Sequence, residues 1–244
     1  MHDEVRMARS DELREHLSAV RRSIEDACRR SGRDPESVTL VAVSKTKPDE
    51  DILDLYEAGQ RDFGENYVQE LRGKRERLPK DIRWHMIGHL QRNKVKYIAE
   101  YIYMIHSVDS AELALTIEKE AAKHDRVIPV LVEVNIAEEK TKYGLMDKDV
   151  HELVSLIRTL PHLEFRGFMT SAPFTDNAEE VRPVFRRLRQ LTVDMNSEND
   201  NNETVGECSM GMSGDYEVAV EEGSSYVRVG TSIFGARSYA GAGL

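Results

Sequence analysis

The sequence predicts a single parallel α/β barrel in which eight strands alternate with helices. Three observations predict it: eight short apolar, β-branched runs recur along 244 residues, helix-like stretches separate most of them, and no Gly-x-Gly-x-x-Gly turn follows the first run. The missing turn disfavours an open doubly wound sheet, the main competitor for an alternating pattern. Length agrees, because α/β barrels commonly span about 200–250 residues as one domain. Hydrophobic residues make up 40% of the chain and charged residues 32%, enough apolar side chain for a large core.

In chain order, residues 1–10 carry no usable pattern and are expected to form a flexible N-terminus. Residues 11–30 read as an amphipathic helix, with Leu13, Leu17, Val20 and Ile24 at spacings of three and four. Ser31-Gly32 stops it, with Pro35 just beyond. Strands are expected at 39–44, 62–65, 83–87, 103–108, 128–135, 163–169, 204–208 and 226–234. Helices are expected at 50–57, 67–78, 111–123, 148–159 and 178–195, with a short one at 214–221. The run NSENDNNE over 196–203 reads as an exposed polar loop. No internal repeat beyond the β/α unit and no domain boundary is visible.

Composition narrows the function. A net charge of -10 argues against a nucleic-acid partner, while leaving room for a local basic pocket that takes one phosphate. The two cysteines, Cys28 and Cys208, form no CxxC pair, and no His cluster has metal-ligand spacing, so a reducing compartment is expected. The first residues, MHDEVRMARSDELREHL, contain no apolar signal region. No apolar run approaches the roughly 20 residues of a membrane span. These features predict a cytoplasmic protein without metal.

The first strand ends in Val41-Ala42-Val43-Ser44-Lys45. Alternation puts Val41, Val43 and Lys45 on one face, with the lysine at the end of the barrel where active sites lie. Partial withdrawal from water disfavours a charged amine and makes a nucleophile available for a Schiff base. A solvated strand-end lysine explains that segment equally well. The last two strands shift the balance. Cys208-Ser209-Met210-Gly211-Met212-Ser213-Gly214-Asp215 follows strand seven and Gly230-Thr231 ends strand eight, the two positions where barrels commonly bind phosphate through backbone N–H groups. Ser213 is placed to cap the following short helix and face that phosphate. Arg228 shares a face with Gly230, and an inward arginine needs a partner. An internal ion pair would serve; a pyridine-type ring nitrogen would also serve, and such a site would hold pyridoxal 5′-phosphate (PLP) while limiting its carbanion chemistry.

Two further segments matter. Asn66, in Phe63-Gly64-Glu65-Asn66-Tyr67, is a ligand contact or a helix cap. His85 and His89 in WHMIGH suggest a metal, but their spacing converges only on a helix, and this is a strand and turn.

The segments VAVSKTKP, FGENYVQE, WHMIGHLQRNK, IHSVDS and SMGMSGDYEVAVEEGSSYVRVGTSIFGAR resemble the YggS/PROSC family of PLP homeostasis proteins, over nearly the whole chain. The resemblance implies a fold-type III barrel with PLP on Lys45 as a Schiff base, the phosphate held by Ser213, Gly230 and Thr231, Arg228 at the pyridine nitrogen and Asn66 beside the ring. It also implies that Met210 lines the pocket. Cys208, where leucine is common, and the Asn-rich loop depart from the pattern. Related racemases and decarboxylases carry a second β domain, for which a chain ending at Leu244 is expected to have no room. The expectation is therefore a carrier that buffers PLP or delivers it to apo-enzymes, working as a monomer and not as an enzyme. A minimal racemase-like PLP enzyme is the first alternative, and a phosphosugar barrel enzyme with an aldolase-type Lys45 is the second. Lys47, Lys140 and Lys142 are candidates for a secondary PLP or transfer site.

Overall fold

The computed structural model describes residues 2–138, 144–145, 149–197 and 206–236. Eight parallel strands close into a barrel in sequence order: β1 Thr39–Val43, β2 Asp62–Glu65, β3 Arg83–Met86, β4 Met104–Val108, β5 Ile128–Glu133, β6 Leu163–Met169, β7 Glu207–Ser209 and β8 Tyr226–Val229. The helices are α1 His2–Ser31, α2 Asp49–Glu57, α3 Val68–Arg77, α4 Ala111–Lys123, α5 Val150–Arg158, α6 Arg182–Ser197, α7 Tyr216–Glu221 and α8 Thr231–Phe234.

β1 and β8 close the sheet through the register Thr39↔Tyr226, Leu40↔Val227, Val41↔Arg228 and Ala42↔Val229. Residues paired across parallel strands face the same side, so Val41 and Arg228 share the interior. A small interior cluster forms from Val41, Met104, Leu131, Met169 and Tyr226. The large apolar cluster, including Ala42, Phe63, Trp84, Ile105, Val132 and Phe168, lies between sheet and helices. A buried Leu or Phe contributes about 1.5–3 kcal/mol there. One close approach needs glycine: at Gly167 (φ +152) a Cβ would lie 1.9 Å from the Glu207 carbonyl oxygen. The β5–β6 register shifts at this point, between Val130 and Leu131.

Helix α4 begins and ends where the pattern predicts, with the Ser110 hydroxyl accepting from the Leu113 N–H as its N-cap. Four differences from the expected elements stand out. The stretch expected to be a flexible N-terminus is helical from His2, with Arg6 and Arg9 bonded to Asp51, Asp54 and the Phe234 carbonyl. Strand eight stops at Val229, because Thr231–Phe234 turns into a helix in which the Ile233 and Phe234 N–H groups donate to the Gly230 carbonyl. The β7 pairing covers Glu207–Ser209, displaced from the expected 204–208, and residues 204–205 lie outside the described residues. Between β3 and β4 a 3₁₀ segment, Arg92–Tyr97, occupies a place where the sequence predicts no helix.

Helix α1 packs against α2, α7 and α8, the helices beside the β1–β8 seam. Leu13 and Leu17 are buried in the large cluster. Leu17→Ala should therefore cost about 3 kcal/mol, read as a lowered urea midpoint by circular dichroism. A loss below about 1 kcal/mol would mean that α1 is not part of the core.

Candidate functional site

Lys45 lies in the turn directly after β1, at the C-terminal mouth. Its neighbours are clamped on both sides. The Ser44 carbonyl accepts from Lys74 Nζ at 2.6 Å, and the Ser44 hydroxyl donates to Glu65 Oε1 at 2.7 Å. The Thr46 N–H donates to Glu70 Oε1 at 2.5 Å while Thr46 sits at φ 63, a left-handed conformation unusual for a β-branched residue. Lys74 also pairs with Glu65 at 2.6 Å and Glu70 at 2.7 Å. Burial pushes the Glu65 carboxyl up, against the pull of Lys74, to about 7. The cluster holds the Lys45 segment in one conformation. Nothing in the sequence marks Lys74, which sits in the exposed-looking run GKRER.

Across the seam, the Ser213 hydroxyl accepts from the Gly230 and Ser232 N–H groups at 3.3 and 3.2 Å. The loops after β7 and β8 are thereby joined; Ser213 does not cap the following helix, whose N-cap position is Asp215. Thr231 is exposed on the same turn. Ser232, one residue further on, was not anticipated. Met210, expected to line the pocket, is fully buried and belongs to the large apolar cluster.

On the opposite side of the mouth lies a cavity of about 630 Å³, lined by Asn66, Ile87, Gly88, His89, Lys94, Glu133, Asn135 and Ser171 among others. Asn66 Oδ1 faces no hydrogen-bond partner although it is buried. Gly88 permits that wall, since a Cβ there would lie 2.6 Å from the Asn66 carbonyl. Burial, reinforced by Asp109 and opposed by Arg228, pushes the Glu133 carboxyl up to about 7.

Arg228 is buried beneath the mouth. Its guanidinium donates to Ser209 Oγ at 2.6 Å, to the Thr170 carbonyl at 3.0 Å and to Ser171 Oγ at 3.4 Å. Burial lowers it to about 10, with Glu133 and Asp215 opposing the shift; it stays charged at neutral pH. His85 is committed elsewhere than to His89: its two ring nitrogens meet Asp62 at 2.8 Å and His106 at 2.9 Å. His89 stands 3.6 Å from Asp109. Among the described residues, no group of three or more His, Cys, Asp or Glu side chains could hold a metal. Lys47 lies over the Phe234 ring, and Lys140 and Lys142 lie outside the described residues. No helix among the described residues is long and apolar enough to cross a membrane.

Barrel and mouth define the class first: residues 16–238 match the family described as alanine racemase, N-terminal domain. Relatives narrow it. A pyridoxal phosphate homeostasis protein of Aquifex aeolicus is 44% identical over 92% of this chain and 98% of its own length. One from Escherichia coli K12 is 38% identical over 94% of this chain and 98% of its own. PipY of Synechococcus elongatus, solved with PLP bound, superposes with a TM-score of 0.80 at 34% identity, covering 91% of this chain and 100% of PipY. Clostridium difficile alanine racemase shares the fold at 16% identity and a TM-score of 0.69, with 58% of its length matched. The chain belongs to the pyridoxal phosphate homeostasis protein family.

Two predictions follow from the charges at the mouth. Lys74→Met leaves Glu65 buried without its cation and should cost about 3–5 kcal/mol in urea unfolding, whereas Lys74→Met with Glu65→Leu should recover most of it; equal losses would mean that the pair is not coupled. Glu133 holds its proton to higher pH in the folded chain than in the unfolded one. Its contribution to stability is complete below about 4.5 and fades as pH rises through about 7. Glu133→Gln should flatten this decline by about 1–2 kcal/mol, after allowance for partial solvent screening. Identical pH–stability curves for the two proteins would contradict the assignment.

Proposed function

We propose that this protein binds PLP at the barrel mouth as a Schiff base on Lys45, and that it buffers the cofactor or delivers it to apo-enzymes. The observation that carries this reading is the convergence of three kinds of group at one mouth: a clamped lysine, a serine–glycine turn rich in N–H donors, and a buried arginine. The residues fit the group. Asn66 Oδ1 is a buried acceptor without a partner in the protein, and the Ser213, Gly230 and Ser232 groups already meet across two loops.

When bound, PLP supplies an aldehyde carbon and an electron-withdrawing pyridine ring. Lys45 would hold the cofactor through its amine nitrogen, the group that condenses with an aldehyde with loss of water. Ser213 and the Gly230 and Thr231 backbone would hold the phosphate, and Asn66 would contact the cofactor. Arg228, which keeps its proton, would donate to the ring nitrogen and disfavour protonation there. An unprotonated ring is a weak electron sink, which favours holding the cofactor over using it. The names of the relatives support the same reading.

The test is spectroscopic. Purified protein with PLP should develop a near-visible absorption band that is absent in Lys45→Ala, and the loaded protein should restore a PLP-dependent apo-enzyme faster than an equal concentration of free PLP. A protein without such a band would overturn the cofactor reading. A loaded protein that turns over single amino acids, with turnover lost in Lys45→Ala, would overturn the carrier reading in favour of a racemase-like enzyme.

A further inference from the structure

The barrel interior contains a run of polar side chains that the site at the mouth does not use. It starts at Arg228 and ends at Asp62, the first residue of β2, at the opposite end of the barrel. Arg228 donates to Ser209 Oγ at 2.6 Å, Ser209 meets His106 Nδ1 at 2.8 Å, His106 Nε2 meets His85 Nδ1 at 2.9 Å, and His85 Nε2 meets Asp62 Oδ1 at 2.8 Å. His85, His106 and Ser209 are completely buried. Asp62 also accepts from Arg83 at 2.9 and 2.6 Å, on the wall of a cavity that Arg21 and Arg61 share.

The chemistry of these groups fixes the direction of every proton. Burial lowers His85 and holds His106 well below the usual imidazole range, so each carries one N–H. Burial alone would raise Asp62, but hydrogen bonds from His85 and Arg83 outweigh it and keep the carboxyl ionised. A carboxylate can only accept, so His85 donates from Nε2 and accepts at Nδ1. His106 must then donate from Nε2 and accept at Nδ1. The Ser209 hydroxyl donates to His106, and its oxygen accepts from Arg228. All four bonds point from the guanidinium to the carboxylate. Aligned bonds in a water-free interior polarise one another.

An ordinary buried ion pair would place a carboxylate directly on Arg228. Among the described residues, none lies within 4.0 Å of it, and its hydrogen-bond partners are all neutral. Glu133 and Asp215 act on Arg228 through space, without a direct ion pair; we infer that Asp62 is a further, remote counter-charge of Arg228, acting through His85, His106 and Ser209, and that these four are positioning residues which set how the guanidinium is presented to the cofactor ring. This inference rests on the PLP reading. The chain aims one guanidinium N–H away from the mouth and draws electron density toward the arginine, which tunes its strength as a donor to the ring nitrogen.

Nuclear magnetic resonance with PLP labelled with ¹⁵N in the ring reads that hydrogen bond directly. Asp62→Asn keeps the shape of the chain and removes its charge; Ser209→Ala cuts the chain beside Arg228. Both should move the ring-nitrogen resonance of the loaded protein, and Ser209→Ala should weaken PLP binding about tenfold, the usual effect of losing a hydrogen bond to a charged group. Thr192→Val, at a residue equally buried on the helix side of the sheet and bonded to Cys208, should leave the resonance in place, which separates this role from general loosening of the core. Asp62→Asn that loads PLP with an unmoved resonance overturns the inference, even if Ser209→Ala moves it. If Asp62→Asn does not fold, His85→Gln replaces it under the same two outcomes. A wild-type protein that takes up no ring-labelled PLP would instead sink the cofactor reading itself.

Discussion

Everything at the mouth depends on the pairing of β1 with β8. That register, four residues long from Thr39↔Tyr226 to Ala42↔Val229, joins the two ends of the sheet. It sets Val43 against Gly230, whose added Cβ would lie 3.4 Å from Val43 Cβ. Lys45 follows Val43 by two residues, so the lysine and the Gly230 turn share one rim although they come from opposite ends of the sequence. Helix α1 covers the seam from outside, and the Arg9 bonds to Asp51 and the Phe234 carbonyl tie it to the segments after both strands.

The interior then resolves a conflict between packing and chemistry. A buried guanidinium and a buried carboxylate–ammonium cluster are costly to desolvate, and an all-apolar barrel would avoid both. Here each has dedicated partners. Lys74 is held by Glu65, Glu70 and the Ser44 carbonyl, and Arg228 is held by Ser209, Thr170 and Ser171. Both clusters act on the mouth, the first through the backbone on either side of Lys45 and the second through the guanidinium beneath it. Stability is spent where it fixes the geometry of the site.

Much of this was legible in the sequence, for reasons that differ by element. The strand alternation and the α4 boundaries follow from local signals, β-branched runs in one case and the Ser110 cap in the other. That the Ser213 and Gly230 loops lie side by side follows from counting strands, because they come after the seventh and eighth. The end of strand eight did not, since Thr231-Ser232-Ile233-Phe234 has strand-like residues and is helical only through its bonds to Gly230. The helicity of residues 2–10 rests on arginine contacts with α2 and Phe234, which no local pattern carries. The burial of Met210 is not legible locally, because a motif position does not say which side of the sheet a side chain faces. His85 drew notice as a metal candidate, while His106 drew none; their pairing appears only once β3 and β4 lie side by side.

The central claim is that Lys45 is the residue to which PLP is bound. Borohydride reduction of the PLP-loaded protein fixes the cofactor on its lysine, and peptide mass mapping then locates it. The account predicts one reduced adduct, on the peptide containing Lys45. An adduct on Lys47 or Lys74 with Lys45 unmodified, or no stable adduct at all, would contradict it.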